Sequence, residues 1–265
     1  VRTFKIYLIF SMFCKRTQRP SAGLQGSLSS QIPDHFIFRA NPSSAQYIGF
    51  GDERSVLNSN FDFSKDTIFL AHGWNGDAFL QNADVNVIVL DWSALANRSY
   101  TTAKGGTAAV GRGLGQFINW LNALGMSYER VHLVGFSLGG HLIMSIEFNK
   151  LLLLALDPAG PLWGSDNNRV VATDGQYVEV MHTNTGFLGY TDPCGHADFY
   201  PNGGSGMPGC WLSSCSHSRS YEYMASSIKY NHLLANECAT LREATRDRCT
   251  GALNPMGNSD LFKSR

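Results

Sequence analysis

The chain has 265 residues, 43% hydrophobic and 16% charged, enough for one sizeable core and too apolar for disorder. Its 21 Lys and Arg balance 21 Asp and Glu, so the net charge is zero. That excludes the basic excess of a nucleic-acid binder and strong electrostatic recruitment to anionic membranes. No apolar run reaches the roughly 18 residues of a transmembrane helix.

In chain order, Arg2 and Lys5 precede an apolar run over 6–14, and no acid occurs before Asp34. A basic start with a short apolar stretch predicts a signal-peptide-like segment over 1–19. Residues 15–33 are rich in Ser, Gln, Gly and Arg and read as linker sequence, so a linker is placed over 20–33 and the main domain is expected over 34–265. A sequon, Asn97-Arg98-Ser99, fits a secreted chain. Strand patterns follow at 35–39, at 66–71 (ending at His72-Gly73-Trp74) and at 84–92. Apolar residues at helical spacing predict a helix over 107–124, stopped by Gly125. A strand is expected at 130–136, a short helix at 141–147, and strands at 151–156 and 177–182. Strands alternating with helices imply crossover units and a mostly parallel sheet. The continuous apolar run over 151–156 suits a strand covered on both faces.

Six cysteines occur: Cys14, Cys194, Cys210, Cys215, Cys238 and Cys249. None forms a C-x-x-C, which disfavours a zinc ribbon or redox motif. In a secreted chain their crowding toward the end reads as disulfide stapling. Cys210/Cys215 and Cys238/Cys249 would each close a short loop, leaving Cys194 over.

The most informative segment is 131–141, VHLVGFSLGGH. Gly135-Phe136-Ser137-Leu138-Gly139 is a G-x-S-x-G between a strand and a helix-like stretch, the setting of a nucleophile elbow. A serine hydroxyl needs a base, and the base needs an acid to orient it. In this arrangement the chain order is Ser, then acid, then His. Asp157 stands at the end of an apolar strand and is preferred over Asp166 and Asp174, which lie in polar sequence. His217, in a loop that Cys210/Cys215 could anchor, is the expected base, with His182 and His196 as competitors. His141 precedes the acid and breaks the order. No H-E-x-x-H spacing occurs, so no metal and no cofactor are expected. Oxyanion donors are expected from the backbone N–H of Leu138 and of Trp74, with Gly73 allowing close approach.

The motifs LAHGW, VIVLDW, VHLVGFSLGGH, LDPAGPLW, HADFYPNGG, MPGC and CSHSRSYEY occur in the order of the pancreatic-type neutral lipase family. The chain resembles that family from about residue 34 to 249, above all its insect secreted phospholipase A1 and lipase-like members. The resemblance implies an α/β-hydrolase fold, with a mostly parallel central sheet and helices on both faces. It implies Ser137 as nucleophile, Asp157 as acid, His217 as base and Trp74 and Leu138 as oxyanion donors. Cys210–Cys215 and Cys238–Cys249 match family disulfides. The family's lid lies between the first of these pairs, here only Trp211, Leu212, Ser213 and Ser214. The segments between Trp74 and Asp84 and between His141 and Asp157 are shorter than in the family. The family's C-terminal β-sandwich domain is expected to be absent. The implied function is a secreted, monomeric phospholipase A1 that cleaves the sn-1 ester of phospholipids at a lipid interface. The alternatives are a triacylglycerol or galactolipid lipase, or a catalytically impaired lipid-binding or storage member like the yolk proteins.

Overall fold

The computed structural model describes residues 35–41, 44–74, 85–146 and 151–257. The expected signal-peptide-like segment 1–19, the linker 20–33 and Cys14 lie outside the described residues. So do the first shortened segment, 75–84, and residues 147–150 of the second.

The apolar runs form strands. In chain order the elements are β1 (His35–Asn41), β2 (Ser44–Gly49), α1 (Glu53–Leu57), β3 (Thr67–Ala71), β4 (Asn86–Leu90), α2 (Ser93–Ala96), α3 (Tyr100–Ala123), β5 (Val131–Phe136) and α4 (Leu138–Leu142). There follow β6 (Leu152–Leu156), β7 (Tyr177–Met181), β8 (Ala197–Phe199), α5 (Ser213–Tyr230), β9 (Leu234–Asn236), α6 (Leu241–Ala244) and β10 (Leu253–Pro255). One eight-stranded sheet has the order β2-β1-β4-β3-β5-β6-β7-β8. The run from β4 to β8 is parallel; β1 is antiparallel to both of its neighbours. A separate two-stranded ribbon pairs β9 with β10.

Every residue of β3, β4 and β7 is buried, as a parallel strand covered on both faces requires. Successive side chains point to opposite faces. Phe69 and Ala71 of β3 and Leu153 and Ala155 of β6 join one core with Leu114, Phe117 and Ile118 of α3. Ile68, Leu70, Leu154 and Leu156 join the other core, with Met224 and Ala225 of α5. Helices therefore cover both faces, and this is the α/β-hydrolase architecture expected from the sequence.

Three elements depart from expectation. Helix α3 starts at Tyr100, seven residues earlier than the periodicity predicts, because Ser99 caps it by accepting from Thr102 N. Its Gly111 is a packing residue rather than a breaker: a Cβ there would lie 2.3 Å from Leu142 O, so only glycine lets α3 approach α4. Helix α4 begins at Leu138, immediately after Ser137, rather than at 141. His217 sits within the long helix α5, not in a loop; the first half of the helix is polar, and Met224 and Ala225 enter the core with Tyr221, Tyr223 and Ile228 packed against it.

Cys210–Cys215 and Cys238–Cys249 are disulfides, and Cys194 is buried without one. Among the described residues, no helix is long and apolar enough to cross a membrane.

Candidate active site

Strand register builds the site. Ala71 pairs with Gly135, Phe136 with Leu156, and Leu156 with Met181, so β3, β5, β6 and β7 end level. The residues that follow, His72, Ser137, Asp157 and His182, therefore stand along one edge of the sheet. Ligands of open parallel sheets gather at this edge.

Ser137 occupies the turn between β5 and α4 at φ 56° and ψ −120°, a region L residues rarely adopt. The flanking glycines are forced by backbone. A Cβ at Gly135 would lie 2.2 Å from Gly139 O, and one at Gly139 would lie 2.2 Å from Ala71 O. Ser137 N–H donates to Leu156 O at 3.1 Å, and Ala159 N–H donates to Ser137 O at 3.2 Å. These bonds tie the turn to both sides of Asp157.

Asp157 also has positive φ, at 42°, and is fully buried. Its Oδ2 accepts from His217 Nδ1 at 2.6 Å. Its Oδ1 accepts from Thr183 N at 2.7 Å and Asn184 N at 3.1 Å. With Nδ1–H committed to the carboxylate, Nε2 is the ring nitrogen left to act as a base. The His217 ring packs on Phe136, the neighbour of Ser137, with centroids 4.6 Å apart. Thr183, Asn184 and Gly189 escape sequence reasoning. A Cβ at Gly189 would lie 2.4 Å from Asp157 Oδ1, so the turn 183–189 folds directly over the carboxylate.

Gly73 lies against the serine: a Cβ there would meet Ser137 Cβ at 2.8 Å. The turn holding it is fixed by Trp92 Nε1–H, which donates to His72 O at 2.9 Å, and by the stacked His72 and Trp92 rings. Trp74 follows, exposed, its indole donating to Arg98 O at 2.8 Å. Leu138 is the first residue of α4, where a helix leaves N–H groups without intrahelical acceptors.

The rival residues have other partners. Asp166 pairs with Lys104, whose hydrogen bond holds its carboxyl below the ordinary value. Asp174 accepts from Val171 N, and burial pushes its carboxyl up to about 6. His196 Nδ1 accepts from Val178 N, and its ring stacks on Tyr177. His141 Nε2–H donates to Ala159 O while Nδ1 accepts from Val170 N, and its ring stacks on Trp163 at 3.8 Å. Burial lowers His141 to about 3, so it is neutral and structural.

Of the four residues expected between the lid cysteines, Ser213 and Ser214 already belong to α5. Only Trp211 and Leu212 stand clear, 97% and 70% exposed. Leu162, Phe187 and Leu188 are also exposed, on the segments that carry Gly160 and Gly189.

A parallel sheet with its serine on a strained strand-to-helix turn, and an acid–imidazole pair on the same edge, defines an α/β-hydrolase with a nucleophile elbow. The chain belongs to the lipase family, whose model matches residues 15–261. It is 33% identical to lipase member H of Oryctolagus cuniculus, over 83% of this chain and 54% of that protein. It is 32% identical to pancreatic lipase-related protein 2 of Bos taurus, over 88% of this chain and 61% of that protein. It is 30% identical to phospholipase A1 member A of Bos taurus, over 82% of this chain and 53% of that protein. The chain thus spans little more than half the length of these relatives.

Proposed function

We propose that the chain is a secreted serine esterase of lipids, a phospholipase A1 that cleaves the sn-1 ester of phospholipids. The observation that carries this reading is the 2.6 Å His217–Asp157 hydrogen bond, one strand away from a serine on a strained turn. Ser137 Oγ attacks the ester carbonyl while His217 Nε2 takes its proton. The backbone N–H groups of Leu138 and Trp74 stabilise the oxyanion of the tetrahedral intermediate. His217 then protonates the departing glycerol oxygen, leaving an acyl group on Ser137. A water, deprotonated by the same imidazole, releases the fatty acid and restores the serine. Asp157 holds the ring in the required tautomer and stabilises the imidazolium.

The substrate reading rests on the short bridge between Cys210 and Cys215. Two exposed residues before α5 cover little, so a polar head group keeps its contact with water and incurs little desolvation cost. Trp211 and Leu212 supply apolar contact with a lipid surface. The two disulfides fit a chain that folds in an oxidising compartment.

The test is fatty-acid release from phosphatidylcholine with distinguishable sn-1 and sn-2 chains, measured beside trioleoylglycerol. Release from sn-1, without a jump in rate when an interface forms, is expected. A strong preference for trioleoylglycerol would overturn the phospholipase A1 reading.

A further inference from the structure

We propose that the buried His182–Asp198 pair is a clasp that positions the Asp157 carboxylate, and so sets the reactivity of Ser137 from outside the reacting groups. The proposal rests on the Ser137–His217–Asp157 reading given above.

The turn over Asp157 begins at Thr183 and Asn184, whose N–H groups hold Oδ1, and ends at Gly189 and Tyr190. Inside the turn, Gly189 N–H donates to Asn184 O at 3.0 Å and Leu188 N–H to Asn184 Oδ1 at 3.1 Å. His182 closes it from below. It precedes Thr183 in the chain, and its Nδ1–H donates across the turn to Tyr190 O at 2.9 Å. One imidazole thus ties the first residue of the turn to the last.

The ring has no rotational freedom. Its Nε2 is hydrogen-bonded to Asp198 Oδ1 at 2.8 Å, and Tyr200 stacks on it with centroids 4.3 Å apart and planes 2° apart. Asp198 is itself filled: Oδ1 also accepts from Cys194 N at 2.9 Å, and Oδ2 accepts from Gly195 N at 3.0 Å. Cys194 Sγ lies within 4.8 Å of the His182 and Asp198 donor atoms, a spacing that could suit a metal. Both ring nitrogens and both carboxylate oxygens are already in hydrogen bonds, so an ion would have to break the clasp. The cluster reads as a positioning device.

An isosteric change exposes the role. An Asn side chain has one oxygen, whereas the Cys194 and Gly195 N–H groups face different oxygens of Asp198, so one of these donors would meet an amide NH2. The ring, the turn and then the carboxylate would shift. A displacement of about 1 Å in a catalytic array can cost on the order of a hundredfold in rate.

The experiment compares full-length wild type with Asp198→Asn and His182→Asn. It measures the second-order rate of fluorophosphonate labelling, and kcat and KM on a soluble short-chain ester, well below each variant's melting temperature. Labelling and kcat slowed at least tenfold, with KM changed less than twofold, are expected of a positioning role. A folded variant that labels at the wild-type rate would overturn the clasp, however much its melting temperature falls. Should both variants fail to fold, amide hydrogen exchange on wild type decides. Thr183 and Asn184 must then exchange as slowly as the amides of β6, and fast exchange there overturns the proposal. Asp157→Asn is the control: if it labels as fast as wild type, the triad reading fails instead of the clasp.

Discussion

Ser137 stands where backbone strain, steric exclusion and chemistry meet. Its φ of 56° costs on the order of 1–3 kcal/mol in a non-glycine residue, and the surrounding hydrogen bonds hold it there. Ser137→Gly should therefore be inactive yet about 1 kcal/mol more stable, read from the shift in denaturation midpoint. A variant that melts lower would show that the turn is unstrained. Gly189 makes the opposite case. Gly189→Ala would put a methyl carbon 2.4 Å from Asp157 Oδ1, so the carboxylate or the turn must move. A fall in kcat of tenfold or more is expected on a soluble ester, and an unchanged kcat would deny the turn its part in holding Asp157. The sequence makes Ser137 and Asp157 legible because each follows an apolar strand and one has glycines two residues either side. Thr183 and Asn184 are not legible, because they act through main-chain N–H groups, which any residue but proline supplies.

At the scale of elements, the parallel strands are readable because burial on both faces leaves near-continuous apolar runs, as in β3 and β6. Helix α5 is not, because 213–220 is nearly all polar and buries its residues by docking, with Ser216 and Ser220 spending their hydroxyls on local hydrogen bonds. The placement of His217 is therefore more rigid than a disulfide-anchored loop would give. Cys210–Cys215 closes a loop of sequence separation 5, and the chain-entropy relation gives about 2 kcal/mol for so small a ring. A Cys210→Ser/Cys215→Ser variant should unfold at correspondingly lower denaturant in an equilibrium titration; an unchanged midpoint would mean the bridge does not constrain the unfolded chain. Trp211 and Leu212 are exposed and add little to stability. Trp211→Ser/Leu212→Ser should leave the melting temperature within about a degree, as for exposed surface changes, and weaken sedimentation with phosphatidylcholine vesicles several-fold. Equal sedimentation would remove these residues from the lipid surface.

For the whole molecule, two cores on opposite faces of one sheet hold the site edge level, and pH acts through groups buried beside them. His141 is held neutral by burial, at about 3 instead of the ordinary 6.5. Between those values the unfolded chain binds the proton and the folded one does not, so stability falls on acidification, by up to about 1.4 kcal/mol per pH unit. Asp174 works against this. Its carboxyl is raised from 3.8 to about 6, so the folded state holds the proton more tightly and gains stability as pH falls through that window. Asp174→Asn should therefore lose stability more steeply than wild type between pH 6 and 4, followed by denaturant titration. An equal slope would show that Asp174 does not carry the raised value. The architecture was legible from alternating apolar runs and the nucleophile turn. The antiparallel addition of β2, a six-residue strand of mixed polarity, was not, because its pairing depends on the position of β1.

The proposed chemistry requires His217 and Asp157 to make Ser137 nucleophilic, and active-site labelling reads that requirement without a lipid substrate. The protein is treated with a fluorophosphonate and digested, and the modified peptide is sequenced by mass spectrometry beside Ser137→Ala and His217→Ala. A single adduct on Ser137, absent in Ser137→Ala and at least a hundredfold slower in His217→Ala, is the predicted result. An adduct elsewhere, or labelling of Ser137 that does not depend on His217, would rule out that activation.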